Sequence, residues 1–215
     1  MRKIGIFGGS FDPIHFGHLR PALEILDALS LDEIRFIPAG QPPHRGAPGA
    51  PAALRLEMLQ AAVAGDARLR VDARELRRAA PSYTVDTLAG LRAEYPDGLL
   101  ALIVGMDAFL GLPGWHRWRS IFDFAHMIVA HRPGWLLHND GVLGELVGQR
   151  RAESADALLQ AAAGRILFQP VTQLEISSTR VRECIAAGGD VRYLVPDAVR
   201  ELIRNSGCYV KPMEH

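Results

Sequence analysis

Residues 3–18, KIGIFGGSFDPIHFGH, lead from a short apolar strand through a glycine-rich turn into the start of a helix. The strand covers residues 3–7, and apolar residues recur at helical spacing from about residue 17 to residue 29. A buried strand that turns directly into a helix is the first half of a βαβ unit. This stretch therefore predicts an α/β fold and sets the pattern for the rest of the chain.

The rest of the chain repeats this alternation of strands and helices. Strands are predicted at residues 33–37, 68–71, 99–104, 125–130 and 166–168, and helices at 54–64, 84–95, part of 140–163, 177–187 and 196–205. Strands that alternate with helices of this length imply right-handed crossovers and a parallel sheet. We therefore expect a Rossmann-like, doubly wound parallel sheet flanked by helices, with its ligands beyond the carboxyl ends of the strands.

Composition and charge narrow the class of protein. The 215 residues are predicted to form a single domain, residues 1–215. Lys and Arg balance Asp and Glu at 24 each, which argues against a polybasic partner of nucleic acids or membranes. Cys184 and Cys208 stand in no metal or redox spacing, and the longest apolar stretch, residues 99–105, is too short to cross a membrane. We expect a cytoplasmic protein without nucleic-acid or membrane partners, and a homo-oligomer is compatible with the sequence.

The turn after the first strand has the features of a phosphate site. Gly8 and Gly9 allow the backbone to approach a bulky anion closely, and the helix that Gly17 opens offers unpaired N–H groups and a positive dipole end. His15 and His18 are three residues apart across the turn, so both imidazoles can face the same spot. Because all but two of the 24 basic residues are arginines, a phosphate clamp here must use Arg, His and backbone N–H groups.

The residues of this turn are also compatible with simpler roles. Two glycines make a tight turn in any protein, and the histidines could be ordinary core or surface residues. A catalytic zinc site would need a third ligand, which is not evident nearby. The glycines at positions 5, 8 and 9 do not fit the G-x-G-x-x-G dinucleotide fingerprint, and the Gly-Lys-Ser/Thr ending of a P-loop is absent.

Residues 15–18, HFGH, resemble the (T/H)-x-G-H signature of the nucleotidyltransferase superfamily, which is related to class I aminoacyl-tRNA synthetases. Residues 176–182, ISSTRVR, resemble the second half of its ATP site; an ordinary serine N-cap would explain one of these hydroxyls but not the others and the arginine. More closely, the chain resembles the bacterial nicotinate-nucleotide adenylyltransferase family along residues 8–182. The other landmarks stand in family order: GGSFDP at 8–13, PPHR at 42–45, SYTVDTL at 82–88, GMD at 105–107, Trp115 and HRPG at 131–134.

The resemblance implies an enzyme that joins nicotinate mononucleotide to ATP and yields nicotinate adenine dinucleotide and pyrophosphate. It assigns catalysis to His15, His18 and Arg180, with Mg²⁺ bridging the outer phosphates of ATP. It assigns nucleotide binding to Gly8, Gly9, Ser10, Phe11, Gly17, Gly105, Asp107, Ile176, Ser177, Ser178 and Thr179. The C-terminal helical part, about residues 177–210, is then expected to complete the ATP site. The attacking phosphate is already an anion, so the reaction needs no general base.

The resemblance places the binding of nicotinate mononucleotide on His44, Arg45, Ser82, Tyr83, Thr84 and Trp115. Trp115 can stack on the pyridine ring; the alternative is that it only anchors its loop. Ser82 and Thr84 are expected to cap the helix that starts there, whose free N–H groups would favour a carboxylate over an amide. For His44 and Arg45 the alternative is a solvated basic turn. His116 stands where many relatives have tyrosine, so the contact made by its ring is open.

Two aspartates have local alternatives. Asp12 is expected to stabilise its own turn through its side chain, as Asp before Pro often does. Asp107 follows a buried strand, and we expect it either to cap the next segment or to contact the ligand.

Two other functions compete with this one. A nucleotidyltransferase for another acceptor, such as nicotinamide mononucleotide or phosphopantetheine, would keep the ATP site and change the second site. A non-catalytic module that senses ATP or NAD could use the same fold, because fold does not fix function. Both histidines of the first motif are present, which argues against such a module.

Overall fold

A computed structural model describes residues 1–41, 48–132, 141–172 and 174–210. The strands are β1 (Lys3–Gly9), β2 (Glu33–Pro38), β3 (Leu69–Val71), β4 (Leu99–Gly105), β5 (His126–His131), β6 (Arg151–Ala152) and β7 (Ile166–Pro170). The α-helices are α1 (Phe16–Ala28), α2 (Ala52–Val63), α3 (Thr84–Glu94), α4 (Met106–Leu110), α5 (Ile121–Phe124), α6 (Gly141–Arg150), α7 (Ala155–Leu158), α8 (Ser178–Ala186) and α9 (Asp197–Ser206). Short 3₁₀ turns cover Leu112–Gly114 and Trp118–Ser120.

These strands form one parallel sheet in the order β3-β2-β1-β4-β5-β7-β6. Strand β4 lies near its centre, and all of its residues except the last are buried. Leu100, Leu102 and Val104 belong to the apolar layer on one face, whereas Ala101 and Ile103 belong to the layer on the other. A strand covered on both faces is typical of a sheet with helices on both sides. The Rossmann-like, doubly wound sheet expected from the sequence is confirmed.

The strand order reverses at β1, which lies between β2 and β4. The chain first builds outward from β1 through β2 to β3 and then returns to add β4 on the other side. The loops that follow β1 and β4 therefore leave the sheet in opposite directions, and a crevice opens between them at the carboxyl end. Helices α1 and α4 begin there, so residues 15–18 and the Gly105–Asp107 segment lie at this crevice.

The elements missed by sequence analysis are short. Helices α4 and α5 have five and four residues, too few to show a helical period. The stretch 140–163, expected to be helical in part, divides into α6, the two-residue strand β6 and α7. No helix within the described residues is long and apolar enough to cross a membrane. The expectation that residues 1–215 form a single domain stays a prediction.

Candidate active site

The segment that links β1 to α1, residues 8–18, is here called the histidine turn. His15 is the N-cap residue of α1, and His18 lies in its first turn. Their rings stack with centroids 3.7 Å apart and planes inclined by 29°. The expectation that both imidazoles face one spot is confirmed, and that spot lies at the start of a helix beyond the carboxyl end of β1.

Burial fixes the charge of one of these rings. His15 is only 4% exposed, and burial lowers its pKa from 6.5 to about 4, so the ring is neutral at pH 7. Its Nδ1 atom is buried and meets no hydrogen-bond partner within the described residues. A neutral imidazole offers one N–H donor and one acceptor. His15 therefore acts here as a polar group of fixed position and not as a cation.

Gly17 lies where the histidine turn packs against residues 176–182, here called the second motif. A Cβ atom on Gly17 would lie 2.9 Å from Nδ1 of His15 and 2.9 Å from the carbonyl oxygen of Ile176. Real Cβ contacts are longer, so only glycine allows the histidine turn to pack against the start of the second motif. The helix itself begins at Phe16, one residue earlier than expected, and the Phe16 N–H already donates to the Leu194 carbonyl oxygen (3.0 Å). That N–H is not available to a phosphate.

The second motif forms the start of α8. Ser177 is its N-cap, and its hydroxyl accepts a hydrogen bond from the Arg180 backbone N–H at 3.2 Å, so the capping alternative is confirmed for this one residue. The Ser178 hydroxyl donates to the Pro13 carbonyl oxygen at 3.0 Å, within the histidine turn. Thr179 and Arg180 are exposed, and the Arg180 guanidinium has no hydrogen-bond or ion-pair partner among the residues that the structure describes. An exposed cation thus lies in the first turn of α8.

The remaining residues of the histidine turn divide into backbone and packing roles. Gly8 is exposed with open space where a side chain would be, so it leaves the crevice accessible at the end of β1. Phe11 adopts a left-handed conformation (φ 46°), and its side chain is 1% exposed. Its ring meets the His18 ring edge to face at a centroid distance of 5.2 Å. The Phe11 side chain thus supports His18 from the core, and only its backbone could meet a nucleotide.

A buried arginine that sequence analysis missed holds this turn. Arg55 in α2 is 1% exposed and donates to the carbonyl oxygens of Ser10 (2.6 Å) and Ala39 (2.9 Å), at the ends of β1 and β2. A signal for it exists in the sequence, because Arg55 shares one helical face with the apolar Met58 and Leu59. An arginine on an apolar face indicates a buried partner.

The expectation that Asp12 stabilises its own turn through its side chain is wrong, because the carboxylate accepts its hydrogen bonds from other segments of the chain. Its carboxylate is 4% exposed and accepts hydrogen bonds from the N–H groups of Gly49 (2.7 Å) and Ala50 (3.0 Å) and from the Tyr209 hydroxyl (2.7 Å). All three partners are far away in the sequence, and an Asp-Pro dipeptide alone cannot reveal them. Asp12 connects the histidine turn to Gly49 and Ala50, just before α2, and to the C-terminal part of the chain.

Gly105 and Asp107 lie across the crevice at the end of β4. Gly105 is the N-cap residue of α4, with open space around its Cα, and Asp107 lies exposed in the first helical turn. The capping alternative for Asp107 is therefore wrong, because the helix begins two residues earlier than that role requires. Its carboxylate is exposed at the crevice.

The expected caps at the start of α3 are also wrong. The N-cap residue is Tyr83, and no side chain caps the helix. The Ser82 hydroxyl instead accepts hydrogen bonds from the backbone N–H groups of Gly40 (2.9 Å) and Gln41 (3.3 Å), and Thr84 is the first helical residue. The Tyr83 N–H donates to the Pro81 carbonyl oxygen and the Asp86 N–H to that of Tyr83 (3.1 Å each), so within the described residues the N–H groups of Thr84 and Val85 are left for other acceptors.

Residues 115–117, here called the tryptophan loop, lie next to that helix start. Trp115 is half-buried and packs against the apolar layer on its side of the sheet. The His116 ring stacks on the Tyr83 ring at a centroid distance of 4.2 Å and an angle of 29°. Arg117, in a left-handed conformation (φ 48°), lies 4.0 Å from the Asp86 carboxylate. The contact of His116, left open by the sequence, thus joins the tryptophan loop to α3.

His44 and Arg45 lie outside the described residues. The chain on either side of them is held by residues of the site. Ser82 bonds Gly40 and Gln41 on one side, and Asp12 bonds Gly49 and Ala50 on the other.

Comparisons with known proteins agree on one family. A family model described as cytidylyltransferase-like matches residues 6–184. The chain is 50% identical over 212 residues to a "Probable nicotinate-nucleotide adenylyltransferase" of Halorhodospira halophila, covering 99% of this chain and 97% of that protein. It is 48% identical to a protein of the same name from Methylococcus capsulatus, covering 97% and 100%. Among solved structures, Plasmodium falciparum nicotinic acid mononucleotide adenylyltransferase complexed with NaAD superposes with a TM-score of 0.74 over the full length of both chains at 15% identity, a likeness of fold.

Proposed function

Since this chain belongs to the nicotinate-nucleotide adenylyltransferase family, we propose that it transfers the adenylyl group of ATP to nicotinate mononucleotide, giving nicotinate adenine dinucleotide and pyrophosphate. The observation that carries the proposal is the packing of the two motif halves across Gly17. It brings the stacked histidines against the start of the second motif, at the crevice between β1 and β4.

The reaction makes few demands on acid–base chemistry. The 5′-phosphate of nicotinate mononucleotide attacks the α-phosphorus of ATP, a new P–O bond forms, and the bond to the pyrophosphate oxygen breaks with its electron pair. The attacking oxygen is already anionic, so no base has to remove a proton. Catalysis then consists of aligning two polyanions and stabilising the charge that develops on pyrophosphate.

The residues of the histidine turn are suited to that task. His18 would stabilise charge in the transition state, and the neutral His15 would donate one hydrogen bond to a phosphate oxygen. Arg180 would bind the outer phosphates with Thr179, because its guanidinium is exposed at the start of α8 and has no partner within the described part of the chain. Groups fixed by burial need little reorganisation during the reaction, which makes them effective.

Mg²⁺ is proposed to enter as part of the substrate. The described residues contain no cluster of three or more His, Cys, Asp or Glu side chains placed to hold a metal ion. Triphosphate oxygens are good ligands for Mg²⁺, which keeps several waters and binds readily to nucleotides. The magnesium complex of ATP would thus bring the metal to the histidine turn.

The second substrate is proposed to lie between α3 and the tryptophan loop. Trp115 offers an aromatic surface for the pyridine ring, and the uncapped start of α3 at Thr84 and Val85 offers backbone N–H groups for its carboxylate. A neutral amide would gain less from the positive end of a helix. Nicotinate mononucleotide is therefore favoured over nicotinamide mononucleotide.

The test is pyrophosphate release from Mg²⁺-ATP with three acceptors in parallel: nicotinate mononucleotide, nicotinamide mononucleotide and phosphopantetheine. We expect clear preference for nicotinate mononucleotide. Turnover with only another acceptor would keep the ATP site and overturn the assignment of Tyr83, Thr84 and Trp115. No release with any acceptor, while ATP still binds, would favour a sensing module.

A further inference from the structure

The surroundings of Asp12 accept only one kind of side chain. Its oxygens receive the N–H groups of Gly49 and Ala50 and the Tyr209 hydroxyl, and the Arg182 guanidinium lies 3.7 Å away. Each of these neighbours is a hydrogen-bond donor. The carboxylate is buried, so the position requires a group that accepts without donating, and an ionised aspartate is such a group.

Tyr209 reaches this carboxylate from 197 residues away in the sequence. Burial, followed by its hydrogen bond to Asp12, raises the pKa of the phenol well above its usual value, so the hydroxyl remains a donor. The ring is packed as closely as the hydroxyl is bonded, because a Cβ atom on Gly49 would lie 3.1 Å from it. Tyr209 therefore makes close contacts through both its hydroxyl group and its ring.

The backbone of the histidine turn is held by the same C-terminal region. Arg182 donates to the Asp12 carbonyl oxygen at 2.7 Å, and Ser178 donates to that of Pro13 at 3.0 Å. Pro13 lies two positions before His15 in the chain, and the left-handed Phe11 on the other side of Asp12 supports His18. A shift of Asp12 is therefore transmitted to both histidines over a short stretch of chain.

We propose that Tyr209, acting through Asp12, is a positioning residue for the phosphate chemistry of the histidine turn. Its hydroxyl fixes the carboxylate, the carboxylate fixes the turn, and the turn sets where His15 and His18 meet the nucleotide. This inference rests on the proposed function only for the identity of that nucleotide. Small displacements of aligned groups are costly in such a site, so the loss of one hydroxyl should be measurable in kcat.

The test is Tyr209→Phe, which removes the hydroxyl and keeps the ring. We expect kcat to fall about three- to tenfold while KM for nicotinate mononucleotide stays unchanged. The matched control is Tyr95→Phe, because the Tyr95 hydroxyl accepts a hydrogen bond from Arg35 (2.6 Å) near the amino end of the sheet. That variant loses a comparable bond away from the crevice. A second control is Tyr193→Phe. The Tyr193 side chain is 81% exposed, so loss of its hydroxyl should leave kcat unchanged.

Two further measurements separate positioning from simple loss of stability. Urea unfolding gives the free energy of unfolding of each variant, and the ring ¹⁵N–¹H signals of His15 and His18 report their placement by NMR. We expect these signals to move in Tyr209→Phe and not in Tyr95→Phe. Unmoved signals with parental kcat, or equal losses of kcat in both variants, would overturn the proposal. If the parent turns over no acceptor, the proposed function fails, and the histidine signals still decide this inference.

Discussion

The histidine turn and the tryptophan loop lie at the same edge of the sheet but are built in opposite ways. In the histidine turn, His15 is 4% exposed, and the backbone carbonyls of the turn accept hydrogen bonds from side chains of two helices. In the tryptophan loop, His116 and Arg117 are exposed, and their links to α3 are a surface ring stack and a 4.0 Å ion pair. One region is part of the core, whereas the other rests on it.

This difference indicates a division of labour. Donors locked in the core keep their geometry as charge develops, which is what acceleration of phosphoryl chemistry requires. Contacts at the surface contribute less energy and adapt more easily, which suits the choice of acceptor. Changes in the histidine turn should therefore act mainly on kcat, and changes in the tryptophan loop mainly on KM for nicotinate mononucleotide.

The largest effect is expected from His18→Ala. Loss of a group that stabilises transition-state charge should lower kcat about 10²- to 10³-fold, with KM for ATP changed only severalfold. Pyrophosphate release at saturating substrates measures this, and urea unfolding checks that the variant is folded. A kcat within threefold of the parent would end the assignment of His18 to catalysis.

The second prediction concerns acid. His15 and the fully buried His126, at the start of β5, both have their pKa lowered from 6.5 to about 4, chiefly by burial. The unfolded chain gains these protons below pH 6.5 and the folded one only near pH 4, so the free energy of unfolding should fall as pH drops through that window. The loss should be roughly 3 kcal/mol for each ring.

Urea unfolding between pH 7 and pH 4 measures that loss. His126 is satisfied at both nitrogens, with Nδ1 accepting from the Arg165 N–H (3.2 Å) and Nε2 lying 3.1 Å from the Ala161 carbonyl oxygen. His15→Gln should remove about half of the pH dependence and leave the part due to His126. A free energy of unfolding that is flat from pH 7 to pH 5 in the parent would refute the burial argument for both.

Trp115→Ala tests the tryptophan loop. Stacking of a base on an aromatic side chain contributes about 1–3 kcal/mol, so KM for nicotinate mononucleotide should rise about fivefold or more. The KM for ATP should stay constant, because the histidine turn is untouched. Trp115→Phe should keep part of the binding. An equal rise in both KM values would show that the two regions are not separate in function.

The smallest effect is expected from His116→Ala. Loss of a stacked ring pair is worth about 0.5–1.5 kcal/mol, which predicts a two- to tenfold rise in KM for nicotinate mononucleotide and an unchanged kcat. His116→Tyr keeps an aromatic ring on Tyr83 and serves as the matched control. Should both variants behave like the parent, the stack would have no part in holding the tryptophan loop.

The sequence predicts best what depends on local pattern. The strands with continuous apolar runs and the helices with clear periods lie within one to two residues of their expected ends, and the histidine pair lies at the start of α1 as expected. The possible cap at Ser177 is confirmed, because its role depends only on the next three residues.

The failures at Asp12, Ser82 and Arg55 involve partners far away in the chain. Local pattern predicts that Asp12 bonds within its own turn and that Ser82 caps α3, yet both bind backbone N–H groups about forty residues distant. Arg55 is missed although it holds two loops of the site. A polar side chain can bond to any donor or acceptor that the fold brings near. The local sequence pattern does not show which of these partners will be close.

The way the C-terminal region holds the histidine turn has a consequence for biosynthesis. On the ribosome the turn emerges well before Ser178, Arg182 and Tyr209, which fix Pro13 and Asp12. A nascent chain halted after β7 contains every strand of the described sheet and still lacks these restraints. The sheet can thus form before the residues proposed to position the histidines have been synthesised, and chains halted there are expected to turn over ATP more slowly than the 215-residue chain.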